Sequence, residues 1–253
     1  MGKNKLKKFA EIDKMPFVFQ YPRERLLEGG FPHKGKWNDN VFGNKGRIIV
    51  ELGCGKGEYT VALAKADSEG NYIGVDIKGA RIWSGAREIE ASGIRNAAFL
   101  RTEIENIDNF FSPSEIDEIW ITFPDPQMQK TRKRLTSTRF ISLYLNILKP
   151  GGIIHLKTDS PFLFEYTRRM ITSNDFEIIS ATDDLYGSGL ADPVSSIKTF
   201  YESQWLSRGK KIKLISFRPE LRETFAEPET DDIPRDDYRA YPRHTISPSQ
   251  PLP

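Results

Sequence analysis

Apolar runs alternate with amphipathic stretches through the central part of the chain, and this alternation predicts a doubly wound α/β sheet. Strands are predicted where β-branched and aromatic residues concentrate, over residues 47–52, 71–77, 97–101, 118–123, 153–158, 176–182 and 212–217. Helical spacing predicts helices near residues 57–66, 79–92, 137–148 and 161–172. Right-handed crossovers would place the carboxyl ends of the parallel strands at one edge of the sheet.

The first predicted strand leads into a glycine-rich turn, Gly53-Cys54-Gly55-Lys56-Gly57, with Glu51 just before it. Dinucleotide enzymes space these glycines as G-x-G-x-x-G and hold pyrophosphate at a helix N-terminus, where a neighbouring carboxylate would repel it. A carboxylate accepts hydrogen bonds from an ammonium group instead. Asp76 ends the second strand, about 20 residues later, where a carboxylate meets ribose hydroxyls. The pattern predicts a cationic nucleoside cofactor, S-adenosylmethionine.

Acidic residues stand at the carboxyl ends of five predicted strands. They are Glu51, Asp76, Glu103, Asp125 and Asp159. Clustered carboxylates repel one another unless a cation or hydrogen-bond donors lie among them, so the row marks a binding site. Prolines on both sides of Asp125 restrict the backbone and present this carboxylate in a fixed direction.

Basic residues are unevenly distributed, although the formal net charge is only +2. No acidic residue occurs between Asp125 and Asp159, and four cations fall within residues 130–134. Because this run follows a candidate site loop, Arg132, Lys133 and Arg134 are candidates for contact with the phosphates of a polyanion such as RNA, although a charge run can also be a solvated face. Lysines near the N-terminus and a basic stretch over residues 208–218 add two further patches.

Composition is that of one large domain, since 253 residues at 38% hydrophobic content can form a substantial core. The single cysteine, Cys54, excludes an internal disulfide and is interpreted as a small loop side chain rather than a nucleophile. No apolar run reaches the roughly 18 residues that a membrane span needs. The expectation is a cytoplasmic protein with no metal site and no membrane association.

Several segments, in their order along the chain, resemble the bacterial tRNA (guanine-N7)-methyltransferases of the TrmB type. The resemblance covers roughly residues 37–218 and rests on residues 51–57, Phe123-Pro124-Asp125-Pro126, the basic run, Leu156-Lys157-Thr158-Asp159 and Thr199-Phe200-Tyr201-Glu202. It implies a Rossmann-like class I methyltransferase fold, with a seven-stranded, mostly parallel sheet and one antiparallel strand. It also implies S-adenosylmethionine as methyl donor and N7 of a guanine in the tRNA variable loop (position 46 in tRNA numbering) as acceptor.

The same resemblance implies roles for individual residues. The cofactor side would be lined by Glu51, Gly53, Gly55, Gly57, Asp76, Glu103 and Asp125, with Asp125 also the catalytic residue. The substrate side would be lined by Lys130, Asp159, Thr199 and Glu202. Gln127 stands where the family has an aromatic residue, and either Gln129 or Lys130 falls near the position of a family lysine.

The chemistry of the acceptor can be argued independently of the family. Guanine N7 carries a free lone pair and loses no proton on methylation, so positioning rather than a strong base should dominate. A carboxylate at Asp125 or Asp159 could accept the adjacent N1–H and N2–H donors of guanine, which adenine lacks.

Two other interpretations stay open. The Phe-Pro-Asp-Pro loop is similar to the Asp-Pro-Pro-Tyr loop of amino-group methylating enzymes, which would make this another RNA or DNA base methyltransferase. A degenerate methyltransferase fold that only binds RNA is the second alternative. Phe200, Tyr201 and Trp205 could stack on a splayed base or pack in the core.

The predicted organisation has three parts: a basic N-terminal extension over residues 1–36, a methyltransferase domain over 37–218, and a proline-rich, charged tail over 219–253. The tail is predicted to be flexible or to lie along the surface. The sequence leaves the oligomeric state open between monomer and homodimer.

Overall fold

An eight-stranded sheet runs through the protein, which the computed structural model describes over residues 2–237. In chain order the strands are β1 (Val18–Gln20), β2 (Ile48–Leu52), β3 (Asn71–Val75), β4 (Ala97–Arg101), β5 (Ile116–Thr122), β6 (Leu148–Thr158), β7 (Glu177–Thr182) and β8 (Lys213–Arg218). They lie side by side in the order β1-β4-β3-β2-β5-β6-β8-β7.

Helices cover both faces of this sheet. They are α1 (Gly2–Ile12), α2 (Arg23–Gly29), α3 (Glu58–Ala66), α4 (Gly79–Ser92), α5 (Thr138–Leu145), α6 (Pro161–Ser173) and α7 (Phe200–Leu206), with shorter helical turns at Asn38–Phe42, Ile104–Asn109 and Thr131–Lys133. Side chains of β2 alternate between the two layers: Val50 packs in the cluster containing α5 and α6, and Ile49 in the cluster containing α1, α3 and α4. The sheet is therefore doubly wound, as the apolar pattern predicts.

Seven of the eight strands coincide with the predicted ones, and one of the seven is antiparallel. β8 runs antiparallel to both neighbours, β6 and β7. The remaining pairings are parallel, with Glu51 of β2 opposite Gly74 on one side and Trp120 on the other. The implied class I methyltransferase arrangement is confirmed for these strands.

The predicted strand number of seven is one too low. The additional strand, β1, comes from the segment assigned to the N-terminal extension, and it pairs in parallel with β4, where Val18 lies opposite Phe99. A three-residue strand is too short to produce a readable period of alternation, and this is why the sequence pattern missed it. Nearby, α1 packs on α4.

Residues 219–237, here called the C-terminal strap, lie along α6 rather than away from the domain. Ala226 exchanges two hydrogen bonds with Asn174 at the C-terminal end of α6, with distances of 2.8 and 2.9 Å. Ile233 is buried in the core, and the partly buried Phe225 packs against the same core cluster. The rest of the predicted tail, residues 238–253, lies outside the described residues.

Candidate active site

One edge of the sheet brings the predicted acidic residues together. Across the strands β4-β3-β2-β5-β6, the residues at the carboxyl ends are, in the same order, Glu103, Asp76, Glu51, Asp125 and Asp159. The chain leaves β2 toward β3 on one side, and β5 lies on the other, so a crevice opens where the strand order reverses. The five carboxylates form one row across this crevice.

The glycine-rich turn joins β2 to α3 through left-handed backbone conformations. Gly53 and Gly57 have φ values of 78° and 75°. A Cβ atom on Gly57 would lie 2.3 Å from the Phe99 ring, so the close packing of the turn requires a glycine there. At Gly53, by contrast, no atom lies within 4 Å of such a Cβ, and Gly55 is nearly as open. The turn presents bare backbone to free space at its first two glycines.

Asp76 ties this turn to the next strand. One of its carboxylate oxygens accepts a hydrogen bond of 3.0 Å from the backbone N–H of Gly55, and the other accepts one of 2.7 Å from Lys78. The side chain is nearly buried, and each oxygen keeps a lone pair for a further donor. Its placement beside the glycines is the one that a ribose-binding carboxylate needs.

Glu51 is more enclosed than the sequence analysis expects. It is 3% exposed, and it accepts hydrogen bonds from the backbone and hydroxyl of Thr60, at 3.0 and 2.5 Å, and from the Thr122 hydroxyl at 2.6 Å. Burial raises the pKa of its carboxyl group, an effect that the hydrogen bonds from both threonines oppose. Glu51 therefore joins β2, α3 and β5, and only one lone pair remains for a ligand donor.

Cys54 is buried in the same turn. Burial raises the pKa of its thiol well above the usual range, and the negative charges of Glu51 and Asp76 raise it further. A thiol held in its protonated form is a poor nucleophile. This agrees with the interpretation of Cys54 as a small loop side chain.

Glu103 is the acid of the row that follows β4. It is exposed and precedes the helical turn Ile104–Asn109, with no side-chain hydrogen bond to that turn. The Glu103 carboxylate therefore does not cap this helical turn. Its oxygens face solvent at the rim of the crevice.

The loop after β5 is stiff and strained. Phe123 and Gln127 adopt positive φ values of 48° and 47°, which are unusual for residues other than glycine. Asp125 is exposed, and one of its carboxylate oxygens accepts a 3.0 Å hydrogen bond from the backbone N–H of Gln127. Backbone strain of this kind clusters at functional sites. The loop presents Asp125 beside the crevice in a defined direction, as the flanking prolines predict.

Asp159 lies directly after β6 and is 3% exposed. Burial raises the pKa of its carboxyl group to about 6; the cations Lys210 and Lys213 oppose this rise, and the negative charge of Asp236 adds to it. A carboxylate with a pKa in this range changes its charge close to neutral pH. Asp159 is consequently a member of the row whose charge depends on pH near neutrality.

Thr199 and Glu202 form the start of α7. The Thr199 hydroxyl accepts a 3.1 Å hydrogen bond from the backbone N–H of Glu202, the geometry of an N-cap. The Glu202 side chain is fully buried and pairs with the Lys157 ammonium at 2.9 Å, while the Tyr186 hydroxyl donates to its other oxygen at 2.6 Å. The Glu202 side chain has no exposed surface, so the implied direct contact with substrate does not fit this placement.

Lys157 is the buried partner of Glu202, and the sequence analysis did not assign it a role. Its ammonium also donates to the backbone oxygens of Ser195 and Ile197, at 2.7 and 2.8 Å. Burial lowers the pKa of Lys157, and the charge of Glu202 opposes that shift. A lysine within the predicted strand of residues 153–158 needs a charged partner if that strand is buried, and this requirement could have pointed to the pair.

The basic run divides into exposed and buried members. Lys130, Arg132 and Lys133 are exposed next to the loop after β5. Arg134 is 1% exposed, lies over the rings of Phe162 and Tyr166, and donates to the backbone oxygens of residues 127 and 128. The predicted RNA contact of Arg134 does not fit this placement; the side chain instead holds the loop against α6. Gln129 is exposed beside Lys130, so both remain candidates for the family lysine position.

Exposed aromatic rings border the crevice where α7 begins. Phe200 and Tyr201 are 58% and 44% exposed, whereas Trp205 is packed in the core. Tyr201 contacts the Phe123 ring edge-to-face with 6.4 Å between ring centroids, and the Lys56 ammonium lies 4.7 Å from the centre of Phe200. These contacts connect α7 both to the loop after β5 and to the glycine-rich turn.

Within residues 2–237, no group of three or more histidine, cysteine, aspartate or glutamate side chains is arranged to hold a metal ion. None of the helices in that part of the chain combines the length and apolar character required to cross a membrane.

Comparison with known proteins gives a consistent picture. Residues 45–215 match the family described as "Putative methyltransferase". The tRNA (guanine-N(7)-)-methyltransferase of Bacteroides thetaiotaomicron is 52% identical over 243 residues, covering 96% of this chain and 96% of that protein. The corresponding protein of Porphyromonas gingivalis is 51% identical over 246 residues, covering 95% of this chain and all of that protein.

Solved structures are similar in fold. An antibiotic-related methyltransferase superposes with a TM-score of 0.53 at 17% identity, covering 80% of this chain and 96% of that one. The 16S rRNA methyltransferase KamB superposes with a TM-score of 0.54 at 11% identity, covering 72% and 92%. At such low identity, these similarities establish the architecture alone.

Proposed function

The chain belongs to the family of bacterial tRNA (guanine-N7)-methyltransferases, and from that premise we propose that the crevice binds S-adenosylmethionine on one side and a tRNA guanine on the other. The acceptor is N7 of a guanine in the variable loop. The observation that carries this proposal is the row of five carboxylates across the point where the strand order reverses. This is where open α/β sheets bind their ligands.

The cofactor side lies over β2, β3 and β4. The open space above Gly53 and Gly55 accommodates a ligand against bare backbone, and Asp76 stands beside it with lone pairs suited to ribose hydroxyls. Glu103 offers a second carboxylate at the rim, and Glu51 acts mainly by holding the turn in place. When bound, S-adenosylmethionine supplies an electrophilic methyl group on a sulfonium ion, a cation that suits a negatively charged lining.

The substrate side lies over β5 and β6. Asp125 is exposed at the mouth of the crevice, and Asp159 is buried at its wall. Either carboxylate can accept the paired N1–H and N2–H donors of guanine, and adenine would leave such a carboxylate unpaired. The exposed rings of Phe200 and Tyr201 provide surfaces on which a splayed base can stack. Lys130 and Thr199 border the same side.

The reaction asks little of these residues beyond positioning. Guanine N7 uses its own lone pair and loses no proton, so no strong general base is required. Holding N7 in line with the methyl group makes the displacement effectively unimolecular, which contributes on the order of 7–11 kcal/mol in favourable cases. Asp125, on its strained loop, would act as the catalytic residue by orienting the base.

The partner is tRNA, and its phosphates are attracted by the exposed cations beside the crevice. Lys130, Arg132 and Lys133 are all exposed on the segment that follows the Asp125 loop. Such contacts release counterions and add affinity without reading sequence, while the carboxylates select the base.

The test is to incubate the purified protein with labelled S-adenosylmethionine and unmodified tRNA, then locate the methyl group by borohydride and aniline cleavage. Cleavage at a guanine of the variable loop is the expected result. A methylated amino group in the digested nucleosides would favour the amino-group alternative, and the absence of any transfer would favour an RNA-binding protein without activity.

Two matched variants test the division of the crevice. Asp76→Asn should weaken binding of S-adenosylmethionine in calorimetry and leave tRNA affinity unchanged. Asp159→Asn should lower kcat/KM for tRNA by roughly 10–100-fold, the size expected for a hydrogen bond to a charged group, with cofactor affinity unchanged. If both variants affected the same ligand, the assignment of sides would be wrong.

A further inference from the structure

The C-terminal strap follows α6 from one end to the other. It begins at the C-terminal end of the helix, where Ala226 bonds to Asn174. In the middle, Arg169 forms a 2.6 Å ion pair with Asp232 on the surface. The strap reaches the N-terminal end of α6 at Asp236, and this end of the helix directly follows Asp159. A segment remote in sequence thus arrives beside the proposed guanine-binding carboxylate.

Asp236 holds the segment that carries Asp159. Its Oδ1 accepts a 3.0 Å hydrogen bond from the backbone N–H of Phe162, and its Oδ2 accepts one from the Ser160 hydroxyl. The Ser160 oxygen in turn accepts a 2.9 Å hydrogen bond from the backbone N–H of Leu163, as the N-cap of α6. Asp236 therefore adds a carboxylate cap to the hydroxyl cap of Ser160 at the helix start, next to Asp159.

The same residue contacts the segment that carries Asp125. The backbone N–H of Asp236 points at the Met128 sulfur, 3.3 Å away. The backbone oxygen of Met128 also accepts a 2.7 Å hydrogen bond from Arg134, the buried arginine that lies over the α6 rings. Through one backbone contact and two side-chain hydrogen bonds, Asp236 bridges the chain segments that follow β5 and β6.

We propose that Asp236 is a positioning residue for substrate: it sets the segments after β5 and β6 at the separation at which Asp125 and Asp159 act on one guanine. The inference rests on the proposed role of Asp159 in binding guanine. In this proposal, Asp236 itself contacts neither the guanine nor the cofactor. Its effect would be on the affinity and orientation of tRNA, and the cofactor side, over β2 to β4, should not respond.

The charge of Asp236 gives the proposal an independent readout. The charged groups facing Asp159 are Lys210 and Lys213 from the β8 side and Asp236 from the strap; the two lysines lower the pKa of Asp159, and Asp236 raises it. If ionised Asp159 accepts the guanine donors, kcat/KM falls as pH drops through this pKa. Removing the charge of Asp236 should move that fall to lower pH.

The experiment compares Asp236→Ala with Asp236→Asn in the full chain. Asp236→Ala removes both acceptor and charge, and should lower kcat/KM for tRNA about tenfold, mainly through KM, because the two segments lose their common anchor. Asp236→Asn retains an oxygen acceptor for the Phe162 N–H, so it should recover most of this loss at pH 8. Its acid limb should lie roughly half a pH unit below that of the wild type.

Asp232→Asn is the matched control, since it removes a carboxylate from the same strap at a surface ion pair with Arg169. It should leave both kcat/KM and the pH profile unchanged. Calorimetry with S-adenosylmethionine and thermal unfolding of each variant complete the set. An Asp236→Ala variant with wild-type KM, or an Asp236→Asn variant whose acid limb does not move, would overturn the proposal.

Asp159→Asn separates failure of this inference from failure of the proposed function. If Asp159→Asn has wild-type kinetics, the guanine-binding role assigned to Asp159 is wrong and the inference loses its basis. If Asp159→Asn is impaired while both Asp236 variants behave like Asp232→Asn, the proposed function stands and only the positioning role of Asp236 is refuted.

Discussion

The two halves of the carboxyl edge are stabilised in different ways. The cofactor half, over β2, β3 and β4, uses glycines for its positive φ values and anchors Asp76 on backbone N–H groups of nearby residues. The substrate half, over β5, β6, α7 and the strap, places positive φ values on Phe123 and Gln127, where each costs on the order of 1–3 kcal/mol. The surrounding fold must supply that energy.

Long-range side-chain contacts connect the elements of this half. The buried pair of Lys157 and Glu202 joins β6 to α7, and Arg134 holds the loop after β5 against α6. The half over β2 to β4 therefore depends mainly on glycine backbone and hydrogen-bonded carboxylates, including the link from Glu51 to Thr122. The half over β5 and β6 depends more on charged side chains contributed by distant elements.

Breaking the Lys157–Glu202 pair should have the largest effect. Lys157→Ala leaves a buried, unpaired carboxylate and should lower the free energy of unfolding by about 3–5 kcal/mol in urea denaturation. The exposed pair of Lys65 and Glu88 is the control, and Lys65→Ala should cost less than about 1 kcal/mol. Equal costs for the two lysines would show that the substrate half does not depend on this pair.

Within the cofactor half, two glycines with the same backbone conformation should respond differently. Gly57→Ala combines left-handed strain with a clash against Phe99 and should destabilise the fold by roughly 2–4 kcal/mol. Gly53→Ala has only the strain, about 1–2 kcal/mol, but its methyl group enters the proposed cofactor space. Calorimetry should therefore show weaker S-adenosylmethionine binding for Gly53→Ala. Unchanged binding would contradict the placement of the cofactor over this turn.

Asp159 should make stability depend on pH in the opposite direction to an ordinary salt-bridged acid. Its pKa is raised to about 6 by burial, so the native protein holds this proton over a range where the unfolded chain has lost it. The resulting stabilisation is present below about pH 4 and is lost as pH rises through 6, a change of about 3 kcal/mol.

The check is the difference in free energy of unfolding between wild type and Asp159→Asn, measured by urea denaturation at pH 4 and pH 7. Asparagine stays neutral at both, so the wild type should lose stability relative to the variant as pH rises. A difference that does not vary with pH would mean that Asp159 titrates as an exposed acid.

The basic run should give the smallest effects on stability and a clear effect on RNA binding. Arg132→Ala and Lys133→Ala, both at exposed positions, should each reduce the slope of log Kd for tRNA against log salt by about 0.7–0.9 without changing stability. Arg134→Ala should keep the slope and lose about 1–3 kcal/mol of stability, because two backbone oxygens lose a donor. A reduced slope for Arg134→Ala would indicate that this side chain reaches RNA after all.

Much of the fold was predictable because its signals are local. Strands such as β2 and β3 are short, mostly apolar runs, and the turn after β2 needs glycines for its backbone angles and for its approach to Phe99. β1 was not predicted because three residues are too few to show an alternating pattern of apolar and polar positions. Its pairing with β4 depends on where the sheet edge lies in space, which no nearby residue encodes.

The position of the candidate site was predictable from the same kind of local signal. The row of acids follows from strand order and crossover handedness, which the alternating pattern implies. The sequence did not predict which polar side chains are buried. Glu51, Arg134 and Glu202 lie in conspicuous motifs, yet each is buried and connects separate elements of the fold. A charged side chain in sequence carries no mark of which surfaces will close over it.

Local backbone preference and apolar periodicity were enough to specify the doubly wound sheet, the glycine turn and the edge at which the row of acids lies. Only packing in three dimensions selected which charges pair inside the protein and which stay exposed. Partners such as Lys157 with Glu202, or Asp236 with Ser160, are brought together by the fold across long stretches of chain. Whether a charged side chain is desolvated depends on which parts of the fold pack around it, and not on its residue type.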